Sequence, residues 1–266
     1  MLSRTLFIKE LRANYKLLLL FMAVLTMYAS MITAMFDPKL GDSLKAMMES
    51  MPQVFAMVGM ENPGTTLGEF FANYLYGFLL VIFPLVFIAV LSNRLVVRYV
   101  DQGSMAYLLA TPNKRRKIIA TQAAGMLWPV LVLVVYVTAV CVALGGALFP
   151  GELDVGGFIL VNVGLFGLLL FLAGVCFCSS CIFNRSQFAT GVGVGLCILF
   201  VLLQMISQAG DKFEVLKYAT PLTLFDASGI LTGESAAIGS FGVLYGMGIV
   251  LFGVGMAIFC KRDIPV

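Results

Sequence analysis

Apolar residues in this chain come in runs far longer than a soluble helix or strand needs. A helix requires about 20 consecutive apolar residues to cross ~30 Å of hydrocarbon. Six stretches have that character: Leu17–Met35, Phe71–Asn93, Ala123–Leu148, Phe158–Phe183, Phe188–Ser207 and Ile238–Phe259. They are predicted to be six transmembrane helices, spans 1 to 6 in chain order. Ahead of span 1, Phe7, Leu11, Tyr15 and Leu18 recur at helical spacing, while Arg4, Lys9, Arg12 and Lys16 supply a polar side. That pattern predicts a basic amphipathic helix over Leu2–Lys16, lying in the membrane interface; a plain charged flank that fixes orientation is the simpler alternative. Between spans 1 and 2, Leu40, Leu44, Met47, Met48, Met51, Val54, Phe55 and Val58 form an apolar stripe, and Pro52 kinks or restarts the helix. It reads as a helix lying on the membrane or capping the bundle, with a soft methionine-rich binding surface as the alternative.

The loop between spans 2 and 3 carries the most detailed signals. Gly103 is placed to end a helix running out of span 2, Ser104 to cap a new one through Ala110, and Pro112 to stop it. The result is a short helix, apolar at Met105, Leu108 and Leu109, tethered to two spans. Such a turn is suited to docking in a groove on a partner, or to packing under the membrane.

Charge sorts by loop. All seventeen Lys/Arg and fourteen Asp/Glu lie outside the six runs. The N-terminal segment, Arg94–Lys117, the turn at Arg185 and the tail after Cys260 hold thirteen Lys/Arg and only Glu10, Asp101 and Asp263. The three alternate loops hold four Lys/Arg and eleven acids. Lys/Arg bias near span ends sets orientation, so both termini are expected in the cytoplasm; the membrane expected is a bacterial plasma membrane. The alternative of a cleaved signal peptide is disfavoured by the length of the first run. The chain is 61% hydrophobic and 12% charged, which excludes a soluble globular domain. The net charge of +3 is topogenic, with no nucleic-acid partner implied. Phe36–Phe70, the longest stretch between spans, is too short for a core of its own, so residues 1–266 form one transmembrane domain.

Several chemistries are disfavoured. No GxxxxGK[ST] loop occurs and there is no histidine. No carboxylate falls within a span, which argues against a self-powered pump, channel or ion-coupled carrier. If the chain moves something, the energy comes from another chain. Cys176, Cys178 and Cys181 lack the fourth ligand of a closed zinc site and read as small fillers. Polar groups gather toward the outer ends of spans 1, 2 and 5: Thr26, Ser30 and Thr33; Asn73, Tyr74 and Tyr76; Gln204, Ser207 and Gln208. With Phe78, Phe83 and Phe200 they would suit an amphipathic or lipid-like substrate better than an ion. Gly191, Gly193 and Gly195, and Gly242 with Gly246, allow close helix approach, within the chain or near a dimer axis.

The segment from Asp101 to Arg115 resembles the E-x-G-T-x-x-x-L-L-x-x-P-x-[ST]-R pattern of type-2 ABC exporter permeases. Asp101 stands at the Glu, Gly103 at the glycine, Ser104 at the Thr, Leu108 and Leu109 at the paired leucines, Pro112 at the proline and Arg115 at the arginine. Lys114 replaces a Ser or Thr, and Gln122 a frequent Lys. The N-terminal helix resembles the family's elbow helix, Leu216–Asp226 followed by Ile230–Gly233 its outer segment between spans 5 and 6, and Phe259–Asp263 its ending. The resemblance implies an all-α permease with a coupling helix at Ser104–Ala110 that receives a separate ABC ATPase, on which ATP and Mg would be bound, with no cofactor on this chain. It also implies pairing with a second six-span unit, identical or different. Spans 1, 2 and 5 would flank the dimer axis and pathway, with Thr26, Ser30, Asn73, Phe78, Gly193, Phe200 and Gln204 as candidate residues, and Pro221, Phe225 and Asp226 at an outer gate. An intramembrane enzyme acting on lipid is the runner-up, without a visible acid–base pair; a membrane scaffold is another.

Overall fold

The computed structural model describes residues 2–36, 50, 66–105, 108, 114–208 and 211–262. Among them there is no strand, and six helices are long and apolar enough to cross a membrane: Arg4–Met35, Leu79–Asp101, Arg115–Leu148, Val155–Ile182, Ser186–Ser207 and Ser235–Lys261. These are spans 1 to 6. The residues of the apolar stripe between Leu40 and Val58 lie outside the described residues.

Helix ends depart from the apolar runs for local reasons. Arg4–Met35 is one unbroken helix, so the expected separate interfacial helix is continuous with span 1. No glycine or proline interrupts it. Its inward residues near the terminus are Leu6, Glu10 and Asn14, at a spacing of four, while Tyr15 is half-exposed. The expected stripe Phe7, Leu11, Tyr15 is therefore not the buried face. Span 2 begins later than Phe71: a capping box from Thr66 and Glu69 starts a short helix Leu67–Phe71, a π-helical turn follows over Ala72–Tyr76, and the chain turns at Gly77–Phe78 before Leu79. At its other end span 2 runs past Asn93 through a second π-helical turn, Asn93–Val97, to Asp101. Asp154 caps span 4 by accepting from the amides of Gly156 and Gly157 at 3.0 and 3.1 Å. After span 5, 3-10 turns over Asp211–Ala219 and Pro221–Leu224 and a short helix Ala227–Leu231 fold back on the bundle, burying Leu222, Phe225 and Ile230.

Span 4 is the centre of the bundle. In its most apolar window 78% of residues are buried, and in that of span 2 61%, against 22% for spans 1 and 5. Glycine sets how closely its neighbours approach. A β-carbon at Gly193 of span 5 would stand 3.0 Å from Ser179 Cβ and 3.2 Å from Cys176 Cα. One at Gly248 of span 6 would stand 2.8 Å from Leu170 Cγ, and one at Gly255 3.2 Å from Cys178 Cα. Gly191, Gly195, Gly242 and Gly246 open to empty space on the outside of the chain. Residues two apart on a helix point to nearly opposite sides, so the three glycines of span 5 do not form one face.

Candidate functional site

At the end of the bundle that carries both termini, the chain ends are cross-tied. Gly103 adopts φ +68°, and its amide bonds back to Val100, so it stops the helix as its position predicted. The Ser104 hydroxyl donates to Tyr99 O at 3.2 Å, tying it to the helix behind, while the turn it was expected to cap lies mostly outside the described residues. Asp101 accepts from the amide of Ser186 at 3.3 Å, so the last residue of span 2 caps the first turn of span 5. Arg115, at the start of span 3, donates to the carbonyl of Arg262 at 3.0 Å. Arg262 in turn donates to Cys181 O at 2.6 Å and Phe183 O at 3.3 Å, holding the end of span 6 to the end of span 4. Burial lowers the pKa of this guanidinium from its usual value, yet arginine stays charged there. Met105 is 1% exposed within the chain's own core and Leu108 packs against that core, so these two apolar residues hold the loop to the bundle. Leu109 and Pro112 lie outside the described residues.

Beside these ties sits a carboxylate that hydropathy reading counted only as a charge. Glu10 is 3% exposed; it accepts from the Tyr99 hydroxyl at 2.8 Å and the Gln122 amide at 3.3 Å. One turn on, Asn14 donates to Glu10 O at 3.0 Å and accepts from Arg94 at 3.4 Å. This network joins spans 1, 2 and 3. The available signal was the four-residue spacing of Glu10 and Asn14 beneath Leu6.

At the opposite end, a polar cavity of about 300 Å³ lies between spans 2, 4 and 5 and the folded-back segment. Gln204, Ser207 and Gln208 come from span 5, Lys217 and Asp226 from the folded-back segment, and Tyr76 and Phe225 from its apolar wall. Asp226 caps the helix Ala227–Leu231 by accepting from Gly229 at 3.0 Å. Pro221 sets the first position of its 3-10 turn, where Thr220 bonds Leu222 and reaches Phe200 O at 3.2 Å. Of the residues singled out beforehand, Tyr76, Gln204, Ser207, Gln208, Phe225 and Asp226 thus converge. The others do not. Thr26 bonds the Tyr136 hydroxyl of span 3 at 2.9 Å, and Ser30 bonds Met27 O on an exposed face. Asn73 is buried in the π-helical turn, Phe78 is 37% exposed at the start of span 2, and Phe200 stacks near Phe171. Gly193 lies against span 4. Cys176 Sγ faces Cys197 Sγ at 3.9 Å, while Cys178 and Cys181 are buried elsewhere on span 4.

No curated protein and no solved structure matches the chain. A family model described as ABC-2 family transporter protein matches residues 5–264, from the first turn of span 1 to past the Arg262 tie. Six apolar helices matched over nearly the whole length identify a multi-pass membrane protein and a permease: the chain belongs to the ABC-2 family of transporter proteins.

Proposed function

We propose that this permease is one half of the membrane portion of an ATP-driven exporter, in a bacterial plasma membrane with both termini cytoplasmic. A separate ABC ATPase, carrying ATP and Mg, docks at the loop between spans 2 and 3, and a second six-span unit completes the pathway. The observation that carries this reading is the family match across nearly the whole chain, in a sequence without a phosphate-cradling loop of its own. The ties around the loop support it mechanically. Movement of the loop would pull on span 5 through Asp101 and on spans 6 and 4 through Arg115 and Arg262. The outer cavity at Gln204, Phe225 and Asp226 is the candidate exit chamber, closed from outside by the segment around Pro221.

The test is co-purification. Leu109→Asp is expected to insert normally, because the residue follows the apolar span rather than lying in it, yet to lose the ATPase and transport. Buried anchors of this kind typically cost ~2 kcal/mol or more when removed. Equal ATPase recovery and equal ATPase activity from wild-type and Leu109→Asp membranes would remove the docking role.

A further inference from the structure

The end of span 2 beside the termini carries two arginines that the coupling reading does not use. Arg94 and Arg98 flank the buried triplet Leu95, Val96 and Val97 and are themselves exposed. Arg94 sits on the π-helical turn Asn93–Val97 and Arg98 just past it, its amide bonding Asn93 O. Such turns are uncommon and recur at functional sites. The two side chains share the walls of two adjoining cavities, of about 280 and 380 Å³. One lies toward span 1, beside Asn14 and Tyr99; the other lies toward span 5, beside Thr190.

The acids of this cleft equal its arginines in number but are not paired with them. Its acids are Glu10 and Asp101. Glu10 is turned to Tyr99 and Gln122, and Asp101 to the Ser186 amide, so neither guanidinium has a carboxylate partner among the described residues. Among the described residues Arg94 bonds Asn14 at 3.4 Å, near the limit of a hydrogen bond. Lys9 adds a further cation, its ammonium 5.9 Å from the centre of the Tyr99 ring. The span 5 cavity also has an apolar floor: Ala89 and Val90 lie one turn deeper than Asn93 and Arg94. Guanidinium forks above an apolar wall match a phosphate ester above a hydrocarbon chain.

We propose that the cleft at Arg94 and Arg98 is a binding site for the phosphate of an anionic amphiphile from the adjacent leaflet, its chain lying along Ala89 and Val90. The leaflet is the inner one if both termini are cytoplasmic; the site itself does not depend on that orientation or on ATPase docking.

Native mass spectrometry of the purified protein tests it, with phosphatidylglycerol, phosphatidylcholine, diacylglycerol or glycerol 3-phosphate as the probe. Phosphatidylglycerol is expected to be retained, and phosphatidylcholine and diacylglycerol far less. The double variant Arg94→Gln/Arg98→Gln should retain about tenfold less phosphatidylglycerol or weaker still. Arg94→Lys/Arg98→Lys, which keeps the charge and loses the forks, should fall clearly below wild type. Arg4→Gln, an exposed cation outside the cleft, should match wild type. Equal retention of charged and uncharged lipids, or an equal loss in Arg4→Gln, would overturn the site. Undiminished binding in the lysine pair would reduce it to general charge and overturn it too. Glycerol 3-phosphate binding as tightly as the lipid would overturn the amphiphile. The lysine pair preserves the net charge, so a folding failure confined to the glutamine pair still leaves a reading.

Discussion

At the scale of single residues, the polar side chains at the termini-bearing end work as joints between helices. Glu10 is the clearest case. It is nearly fully buried and holds the Tyr99 hydroxyl and the Gln122 amide at once. Replacing it with leucine would leave the buried Gln122 amide and the half-buried Tyr99 hydroxyl without this partner, and a fully buried orphan costs about 1–3 kcal/mol. Glu10→Leu is therefore expected to lower the thermal unfolding midpoint in detergent well below that of wild type. Glu10→Gln, which keeps an acceptor, should recover most of the loss. If the two variants melt together, the carboxylate is not the joint described. Asp101 works on a smaller scale, since a lost helix cap costs about 1 kcal/mol. Asp101→Ala should leave the fold intact and loosen the start of span 5, seen as faster amide exchange at Gln187–Thr190.

At the scale of elements, legibility in the sequence depended on what fixed each helix. Length and hydropathy fixed the number of spans, because crossing a bilayer is a requirement on composition alone. Start and stop signals worked where the backbone itself was constrained, as at Gly103 with φ +68°. Facing was much less legible. In water the apolar side of a helix turns inward, but in lipid both sides are apolar and small or polar residues do the packing. So the stripe Phe7, Leu11, Tyr15 drew attention to one side of span 1, while Leu6, Glu10 and Asn14 turned inward. The backward bond of Ser104 to Tyr99 O is a choice of partner that local sequence does not encode. Convergence of Gln204, Phe225 and Asp226 in one cavity likewise depended on how the segment after span 5 folds back. The glycines of span 5 turn this difference into a measurement. Gly193→Leu would drive its side chain into Ser179 and Cys176, and overpacking of this kind costs about 1–3 kcal/mol. Gly195→Leu meets open space. Thermal unfolding should therefore separate them, with Gly193→Leu destabilised and Gly195→Leu near wild type. Equal behaviour would mean that spans 4 and 5 are not packed through Gly193.

At the scale of the whole molecule, the two ends of the bundle differ in kind. One end concentrates arginine and lysine, the hydrogen-bonded ties between spans 2, 3, 4, 5 and 6, and the Glu10 network. The other holds the acid-rich loops and the polar cavity under the folded-back segment. The proposed drive from one side would use this asymmetry, with the tied end receiving the push and the cavity end opening. The assignment of sides rests on thirteen Lys/Arg against four, and it is directly measurable. Of the six native cysteines five are buried and Cys260 is partly so; a cysteine-free background removes them all. In that background, single cysteines at Gly41→Cys and Glu214→Cys should react in intact cells with a membrane-impermeant maleimide. Lys114→Cys and Arg185→Cys should react only after the membrane is opened. Each of these last two removes a single cation from the thirteen, too few to reverse the charge bias. Labelling of Lys114→Cys in intact cells would invert the molecule. The cation-rich end would then face outward, the loop between spans 2 and 3 would be out of reach of any cytoplasmic ATPase, and the proposed drive would fall with it.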